Sequence, residues 1–466
     1  MRSRGRAGHA GGRVVNPHHP TGAGPIMSST RTLELPELAL ILLIGPSGSG
    51  KSTFAARLFE PTRVVSSDHC RALVSDDPGD QDATPAAFEV LHAIVDKRLA
   101  ARRTTIVDAT NVRASERQSL LRIAKEHDVP TAAVVFDLPE RSCITRNAAR
   151  ADKPGPEVVR KHHEELRNST NDLRGEGFRH VHVLSGEHET ESAGIEWTRL
   201  RSDARQEQGP FDVIGDVHGC RAELEELLER LGYRLRRDGN GTSVDAEHPL
   251  GRRAILLGDL VDRGPDTPGV LRLAMGMAES GNALVVMGNH ENKLVKALDG
   301  RRVKMTHGLE RTLEQLSGTD EDFRGLVRRF CGELPEHYVL DGGELVVAHA
   351  GLPEHYQGRD SGRVRAFALY GATTGETDEA GLPVRYPWAA DYRGAAIVLY
   401  GHTPVSSAEW LNRTMCLDTG CVFGGALTAL RYPEDELESV PAKQHYSRPA
   451  RPRGETDEAA TERRIR

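Results

Sequence analysis

In the C-terminal half of this chain, short apolar runs repeatedly stop at a polar, glycine-containing corner. Residues 211–214 lead into Gly215-Asp216-Val217-His218-Gly219, and residues 254–257 into Gly258-Asp259-Leu260-Val261-Asp262-Arg263-Gly264. Residues 283–287 lead into Gly288-Asn289-His290-Glu291, 345–348 into His349, and 397–400 into Gly401-His402-Thr403. Runs this short, rich in Val, Ile and Leu, predict strands buried on both faces. Their C-terminal ends form one edge of a sheet, where open α/β folds place ligands. Leu224, Leu227, Leu228 and Leu231 recur at helical spacing and predict an amphipathic helix over 221–231.

The N-terminal half repeats the theme. Residues 38–44 form an apolar run, followed by further predicted strands at 62–66, 104–107, 132–136 and 181–184. Residues 294–330 are charged and mainly helical and interrupt the strand series, so they are expected to cap the site. Their Arg301-Arg302-Val303-Lys304 run reads as a solvated face able to guide a polyanion. The expected organisation is a disordered tail over 1–32, a first domain over 33–185, a linker over 186–208, a second domain over 209–440 and a flexible tail over 441–466. Met1 and Met27 are both candidate starts.

Bulk composition narrows the function. At 466 residues there is room for two or three domains, and 38% hydrophobic with 28% charged residues is ordinary for a soluble protein. The formal net charge of −7 gives no global attraction for duplex DNA, so any nucleic-acid contact needs a local basic groove. Six scattered cysteines without a C-x-x-C pair fit reduced thiols in a cytoplasmic protein. No apolar run approaches the roughly 20 residues of a membrane helix, so no membrane partner is expected.

Two sets of residues carry chemistry. Gly45-Pro46-Ser47-Gly48-Ser49-Gly50-Lys51-Ser52-Thr53 lies between a predicted strand and helix, which is the P-loop context. The glycines let backbone N–H groups curl around phosphates and the helix start adds partial positive charge. Lys51 is expected at the β/γ-phosphates of ATP and Ser52 on Mg²⁺. Asp68, at the next strand end with Arg71 nearby, can accept a proton from an attacking hydroxyl. Asp108 would either orient Mg²⁺ through water or cap the next helix. Arg146 and Arg150 share one helix face and can clamp a transferring phosphoryl group.

In the second set, Asp216, His218, Asp259, Asn289, His349 and His402 converge at one sheet edge. Two Asp, one Asn and three His make a mixed O/N set that suits two Mn, Fe or Zn ions better than Mg or Ca. Asp259 is the candidate bridge. Arg263 is placed to bind the substrate phosphate, His290 to protonate the leaving oxygen, and Asp418 to orient a ligand His or a bound water.

These motifs resemble those of bacterial polynucleotide kinase-phosphatases. The second set resembles binuclear metallophosphoesterases in general, among them phosphoprotein phosphatases and dinucleoside tetraphosphatases. Ser66-Ser67-Asp68-x-x-Arg71, Asp108-Ala109-Thr110-Asn111 and Arg146-Asn147-x-x-Arg150 are similar to that family's kinase module. Asp418-Thr419-Gly420-Cys421-Val422-Phe423-Gly424-Gly425 resembles the end of its phosphatase module. The resemblance implies an α/β protein: an N-terminal P-loop kinase domain with a parallel sheet and helices, then a calcineurin-like metallophosphoesterase β-sandwich flanked by helices. It implies an ATP- and Mg²⁺-dependent kinase for 5′-OH ends of RNA or DNA. It also implies a two-ion Mn²⁺ or Ni²⁺ phosphatase for 2′,3′-cyclic, 2′- or 3′-phosphates. Fuller members of the family continue into a nucleotidyltransferase module for which this chain has no room, so either sealing is expected on a separate ligase or this is a partial chain. A homodimer is a candidate assembly. The competing expectations are a small-molecule P-loop kinase joined to a Ser/Thr protein phosphatase or dinucleoside tetraphosphatase, and a non-catalytic nucleic-acid-binding regulator.

Overall fold

The computed structural model describes residues 31–149, 154–377 and 383–448. Two α/β units share the chain. In the first, five parallel strands lie in the order Val64–Ser66, Thr105–Asp108, Leu40–Ile44, Thr131–Asp137, His180–Ser185. Alternation along the central strand assigns its side chains to two cores. Leu40, Leu42 and Ile44 face helix residues Leu91, Val95 and Leu120, while Ile41 and Leu43 face Phe54 and Val159. Burial on both faces explains why the strand reads as unbroken apolar sequence. The P-loop leaves this strand at the middle of the sheet and enters helix Lys51–Leu58.

The second unit stacks two sheets. One runs Ala283–Val285, Arg253–Leu256, Phe211–Ile214, Ala426–Tyr432, Glu436–Pro441, and the other Trp410–Leu411, Thr414–Cys416, Ile397–Tyr400, Leu345–Ala348, His337–Leu340, Asp203–Ala204. Phe211, Val213 and Ile255 meet Leu345, Val347 and Leu399 between the sheets. Each such side chain, fully buried, is worth about 1.5–3 kcal/mol. Helices Arg221–Leu231 and Thr267–Glu279 cover one outer face, and Gly362–Tyr370 with Trp388 covers the other. The α/β architecture expected from the apolar runs is therefore present in both units. Among the described residues, no helix is long and apolar enough to cross a membrane.

Two stretches differ from expectation. Residues 186–208 are built structure, not a linker. Helix Gly186–Ser192 docks on the P-loop helix, its Thr190 and Ala193 carbonyls accepting from Arg57 at 3.0 and 2.9 Å. Strand Gly194–Thr198 then pairs in parallel with Thr32–Pro36. The reason is period-2 burial: Ile195 and Trp197 pack with Leu33 and Leu35 despite the charged residues between them. Asp203–Ala204 joins the second unit by pairing with His337–Leu340. The C-terminal stretch also docks over 441–448. Lys443 N and the Tyr446 hydroxyl donate to buried Glu223 at 2.9 and 2.8 Å, and Ser447 N donates to Val422 O. The remainder of both expected tails, 1–30 and 449–466, lies outside the described residues. Helices Leu309–Ser317 and Glu321–Glu333, expected to cap the site, are also part of the second unit's core through Leu309, Leu316, Phe323 and Val327.

The two units are clasped together. The Arg359 guanidinium reaches the carbonyls of His127, Leu99 (3.4 Å) and Ala100 (3.3 Å), where two helices of the first unit end. A cation is favoured there by the unpaired carbonyls and the helix dipole. Buried Asp128 accepts from Ser361 Oγ at 2.6 Å and Arg363 Nε at 3.0 Å, and Arg179 pairs with Asp360 at 2.5 Å.

Candidate metal and phosphate sites

The corners after five strands of the second unit, those ending at Ile214, Leu256, Val285, Ala348 and Tyr400, deliver the functional side chains, and the corners interlock. Gly215 allows the Asp216 corner to lie on Leu417, where a Cβ would come within 2.2 Å of the Leu417 carbonyl. His218, Asp259, Asp262, Arg263 and His402 all have positive φ, between 45° and 73°. Such non-glycine conformations persist only where the surroundings enforce them, and they concentrate at functional sites.

The imidazole tautomers follow from their partners. His218 Nδ1 donates to Val261 O at 2.8 Å and His349 Nδ1 donates to Leu257 O at 2.9 Å, so the Nε2 of each ring faces inward. His349 Nε2 lies 2.9 Å from Asn289 Oδ1, 3.0 Å from His402 Nδ1 and 3.3 Å from Asp259 Oδ1. His218 Nε2 is 3.6 Å from Asp259 Oδ2 and also meets Arg263 Nη1. Asp216 lies 4.0 Å from His349 and accepts from the His402 amide. All six expected metal ligands are thus brought together. Asp259, His349 and His402 form one close donor group; His218 and Asp259, with the neighbouring His290, form another, each with ligand atoms within 4.8 Å of one another. Asp259 belongs to both, as a bridging carboxylate would. His402 Nε2 is buried without a hydrogen-bond partner, a feature a metal or substrate would relieve. The donor set fits a pair of divalent ions.

Electrostatics match a site built for cations. Burial pushes the Asp216 carboxyl well above its ordinary range, and the nearby Asp418 adds to this. Burial acts upward on Asp259 too, but His290, His349 and His218 together pull it well below the usual value. Burial acts downward on His349, yet Asp259 and Asp216 push it up to about 10. His218 and His402 are held neutral, first by burial and then by Arg263 and His349 respectively. Asp418 is lifted to about 6 by burial, and its Oδ1 accepts from Gly420 N at 3.0 Å.

Two contributors lay unassigned within the sequence motifs. Asp262 Oδ2 accepts from His290 Nδ1 at 2.6 Å, giving a His–Asp pair with Nε2 turned toward Asp259, 3.7 Å away. Glu291 is fully buried and accepts from four backbone amides: Asp259 (2.8 Å), Leu260 (2.8 Å), Val261 (3.2 Å) and Gly288 (2.9 Å). It fixes the loop that presents Asp259. Their positions beside recognised ligands were the available signal.

In the first unit the loop from Gly45 through Ser47, Gly48, Ser49 and Gly50 to Lys51, Ser52 and Thr53 joins strand to helix as expected. Gly48 and Gly50 have φ of +82° and +92°, and a Cβ on Gly48 would sit 2.2 Å from Cys143 O in helix Glu140–Ala148. Lys51 Nζ folds back on the Gly45 and Pro46 carbonyls at 2.8 and 2.9 Å. Asp68 begins helix Ser67–Ser75 and accepts from Arg71 at 2.8 Å. Asp108 is buried at the end of the strand between Ser66 and Leu43. A Cβ on Gly50 would lie 3.5 Å from Arg146 Nη1, so this guanidinium borders the phosphate cradle. It pairs with Glu191 at 2.6 Å and Glu187 at 3.2 Å, carboxylates of the stretch expected to be linker. Arg150 lies outside the described residues.

Residues 209–411 match the calcineurin-like phosphoesterase family, and residues 40–173 match an AAA domain. An asymmetrical bis(5′-nucleosyl)-tetraphosphatase, PrpE of Anoxybacillus flavithermus, is 44% identical over 240 residues, 51% of this chain and 96% of that protein. The chain belongs to the calcineurin-like phosphoesterases. Members of this family use divalent metal ions, in keeping with the two donor groups above. The phosphoesterase of the same name from Bacillus subtilis is 45% identical over 240 residues, again 96% of its length. A protein serine/threonine phosphatase structure from Saccharomyces cerevisiae is 14% identical, with 52% of this chain and 83% of that one covered at a TM-score of 0.36. A kinase-like P-loop unit is therefore fused to a metallophosphoesterase.

Proposed function

We propose that the chain heals broken polynucleotide ends, phosphorylating 5′-OH termini and stripping 2′,3′-cyclic, 2′- or 3′-phosphates. The observation that carries this reading is the pairing of two phosphoryl sites of opposite direction in one chain. One is a P-loop bordered by Arg146, with Asp68 following a strand two positions along the same sheet, and the other a His/Asp/Asn cluster in a metallophosphoesterase. The similarity of the Asp68, Asp108 and Arg146 motifs to polynucleotide kinase-phosphatases supports an oligonucleotide acceptor.

In the kinase unit, the P-loop amides and Lys51 hold the β/γ-phosphates of ATP, and Ser52 would hold Mg²⁺. Asp68 takes the proton of the attacking 5′-hydroxyl, while Arg71 orients that carboxylate. Arg146 exchanges its glutamate partners for the transferring phosphoryl group. In the phosphatase unit, Asp216, His218, Asp259, Asn289, His349 and His402 would hold two ions, Mn²⁺ or Ni²⁺. Bound there, such a pair supplies an activated water and charge neutralisation at phosphorus. Arg263 binds a phosphate oxygen. His290 protonates the leaving oxygen through Nε2, and Asp262 stabilises the charged imidazole through Nδ1–H.

The test is a labelled 5′-OH oligonucleotide with ATP and Mg²⁺, beside a 3′-phosphate oligonucleotide with Mn²⁺. Asp68→Ala is expected to abolish only the first activity and Asp259→Ala only the second. Failure of the wild type to phosphorylate any oligonucleotide, with transfer to a small metabolite, would refute the reading. The 44% identity to bis(5′-nucleosyl)-tetraphosphatases favours a second reading, in which the phosphatase unit cleaves dinucleoside polyphosphates. Side-by-side product analysis with both substrates separates the two.

A further inference from the structure

The stretch from Lys293 to Arg311 carries six Lys and Arg residues against Asp299 and Glu310, in a chain whose net charge is −7. This local excess is anchored beside the metal cluster. Lys293 lies on helix Asn289–Leu298, which begins at the ligand Asn289, and its Nζ donates to Thr306 O at 2.6 Å and Thr306 Oγ1 at 3.0 Å. Gly308 packs on the backbone of Arg263, where a Cβ would approach Arg263 N to 2.4 Å. Arg311 donates to Arg263 O at 2.9 Å. The loop over 299–308 is thus tied at its far end to the residue that binds the substrate phosphate. Between these anchors Arg301, Arg302 and Lys304 are exposed, as is Met305, at 49%. The acidic residue nearest them in sequence, Asp299, pairs with Arg328 at 2.5 Å and more loosely with Arg301 at 3.8 Å, so Arg302 and Lys304 keep the excess charge.

We infer that this loop is a track for the phosphodiester backbone of a single-stranded polynucleotide whose terminal phosphate sits at Arg263 and the metal cluster. Exposed guanidinium and ammonium groups release counterions when they meet backbone phosphates, and the exposed Met305 side chain offers an apolar surface to a base. A mononucleotide would engage Arg263 alone, whereas a longer chain would also engage Arg301, Arg302 and Lys304. The track rests on the end-healing reading and adds a length preference to it.

The experiment compares kcat/KM for a 3′-phosphate decanucleotide with that for a nucleoside 3′-monophosphate, in wild type and in an Arg301→Gln/Arg302→Gln/Lys304→Gln variant. The wild-type ratio should favour the decanucleotide, and the variant should lower that ratio about tenfold or more, because three backbone contacts are lost. The log–log salt dependence for the decanucleotide should also flatten by about 2. An Arg302→Gln/Lys304→Gln variant should show the same trend in smaller measure, which guards against a folding defect in the triple variant. An unchanged ratio with active enzyme overturns the track while leaving the end-healing reading standing. A wild type inert on every 3′-phosphate end overturns that reading itself. An equal drop with an acidic phosphopeptide would overturn the assignment to polynucleotide.

Discussion

Replacing Glu291 should expose how the bridging carboxylate is held. Each oxygen of Glu291 serves two backbone amides, Oε1 those of Leu260 and Val261, Oε2 those of Asp259 and Gly288. Glu291→Gln keeps the shape but turns one oxygen into an NH₂ group, which sets a donor against two donors. Each buried N–H left without an acceptor costs about 1–3 kcal/mol, so Gln should lower stability by about 2–6 kcal/mol. Glu291→Ala orphans all four amides. It should cost at least about 4 kcal/mol even if water enters the space. The assay is urea denaturation of the full chain at fixed Mn²⁺, followed by fluorescence of Trp388, which is packed in the same unit. Phosphatase activity should fall with both variants, because the Asp259 loop loses its anchor. A Gln or Ala variant within about 1 kcal/mol of wild type would refute the claim that amide capture is this residue's task.

Further expectations concern other parts of the molecule. Burial holds the His337 imidazole down to about 4, with Arg205 and Arg102 opposing Asp360, and its Nε2 accepts from Gly358 N. Above its ordinary pKa of 6.5 both folded and unfolded forms are neutral. As pH falls toward 4 only the unfolded form takes the proton, so stability should drop by about 3 kcal/mol. His337→Gln should flatten that acid limb in pH-dependent denaturation, and an unchanged slope would contradict the assignment. Gly48→Ala should weaken ATP binding by about tenfold or more, since a Cβ there meets Cys143 O at a positive φ that disfavours alanine. Calorimetric titration checks this. Chelating divalent ions should lower the melting temperature, with each ion at a hundredfold excess over its Kd contributing about 2.7 kcal/mol; an unmoved transition would argue against an ion pair in the His/Asp cluster. Asp128→Ala should cost about 1–3 kcal/mol by depriving Ser361 and Arg363 of their acceptor, read as faster proteolysis between the units.

What could be read in advance follows the physics of each element. The convergence of the candidate ligands was legible because buried strands leave unbroken apolar runs and each run ended in one of these side chains, so they could be placed at one sheet edge from the sequence. The P-loop was legible because its glycines and lysine fall at fixed spacing between a strand and a helix. Residues 186–208 misled because their strand is only half buried: Ile195 and Trp197 alternate with Glu196 and Thr198, and five residues give that alternation little weight. The clasp through Arg359 and Asp128 left no sequence signal, since it joins positions more than 200 residues apart. The roles of Asp262 and Glu291 depended on whether each side chain turned toward a histidine or toward backbone amides, which spacing alone does not fix.

Strand Gly194–Thr198 belongs to the first unit and Asp203–Ala204 to the second, and only residues 199–202 separate them. Fully extended, that bridge covers about 17 Å, and the helix ends gripped by Arg359 tether the opposite side. Tied on both sides, the two units are restrained from large swings relative to one another. On the end-healing proposal, a strand processed at one terminus would be released and diffuse before its other terminus is treated. Reaction progress curves should therefore show the singly processed intermediate accumulating free in solution, open to capture by an added excess of unlabelled competitor.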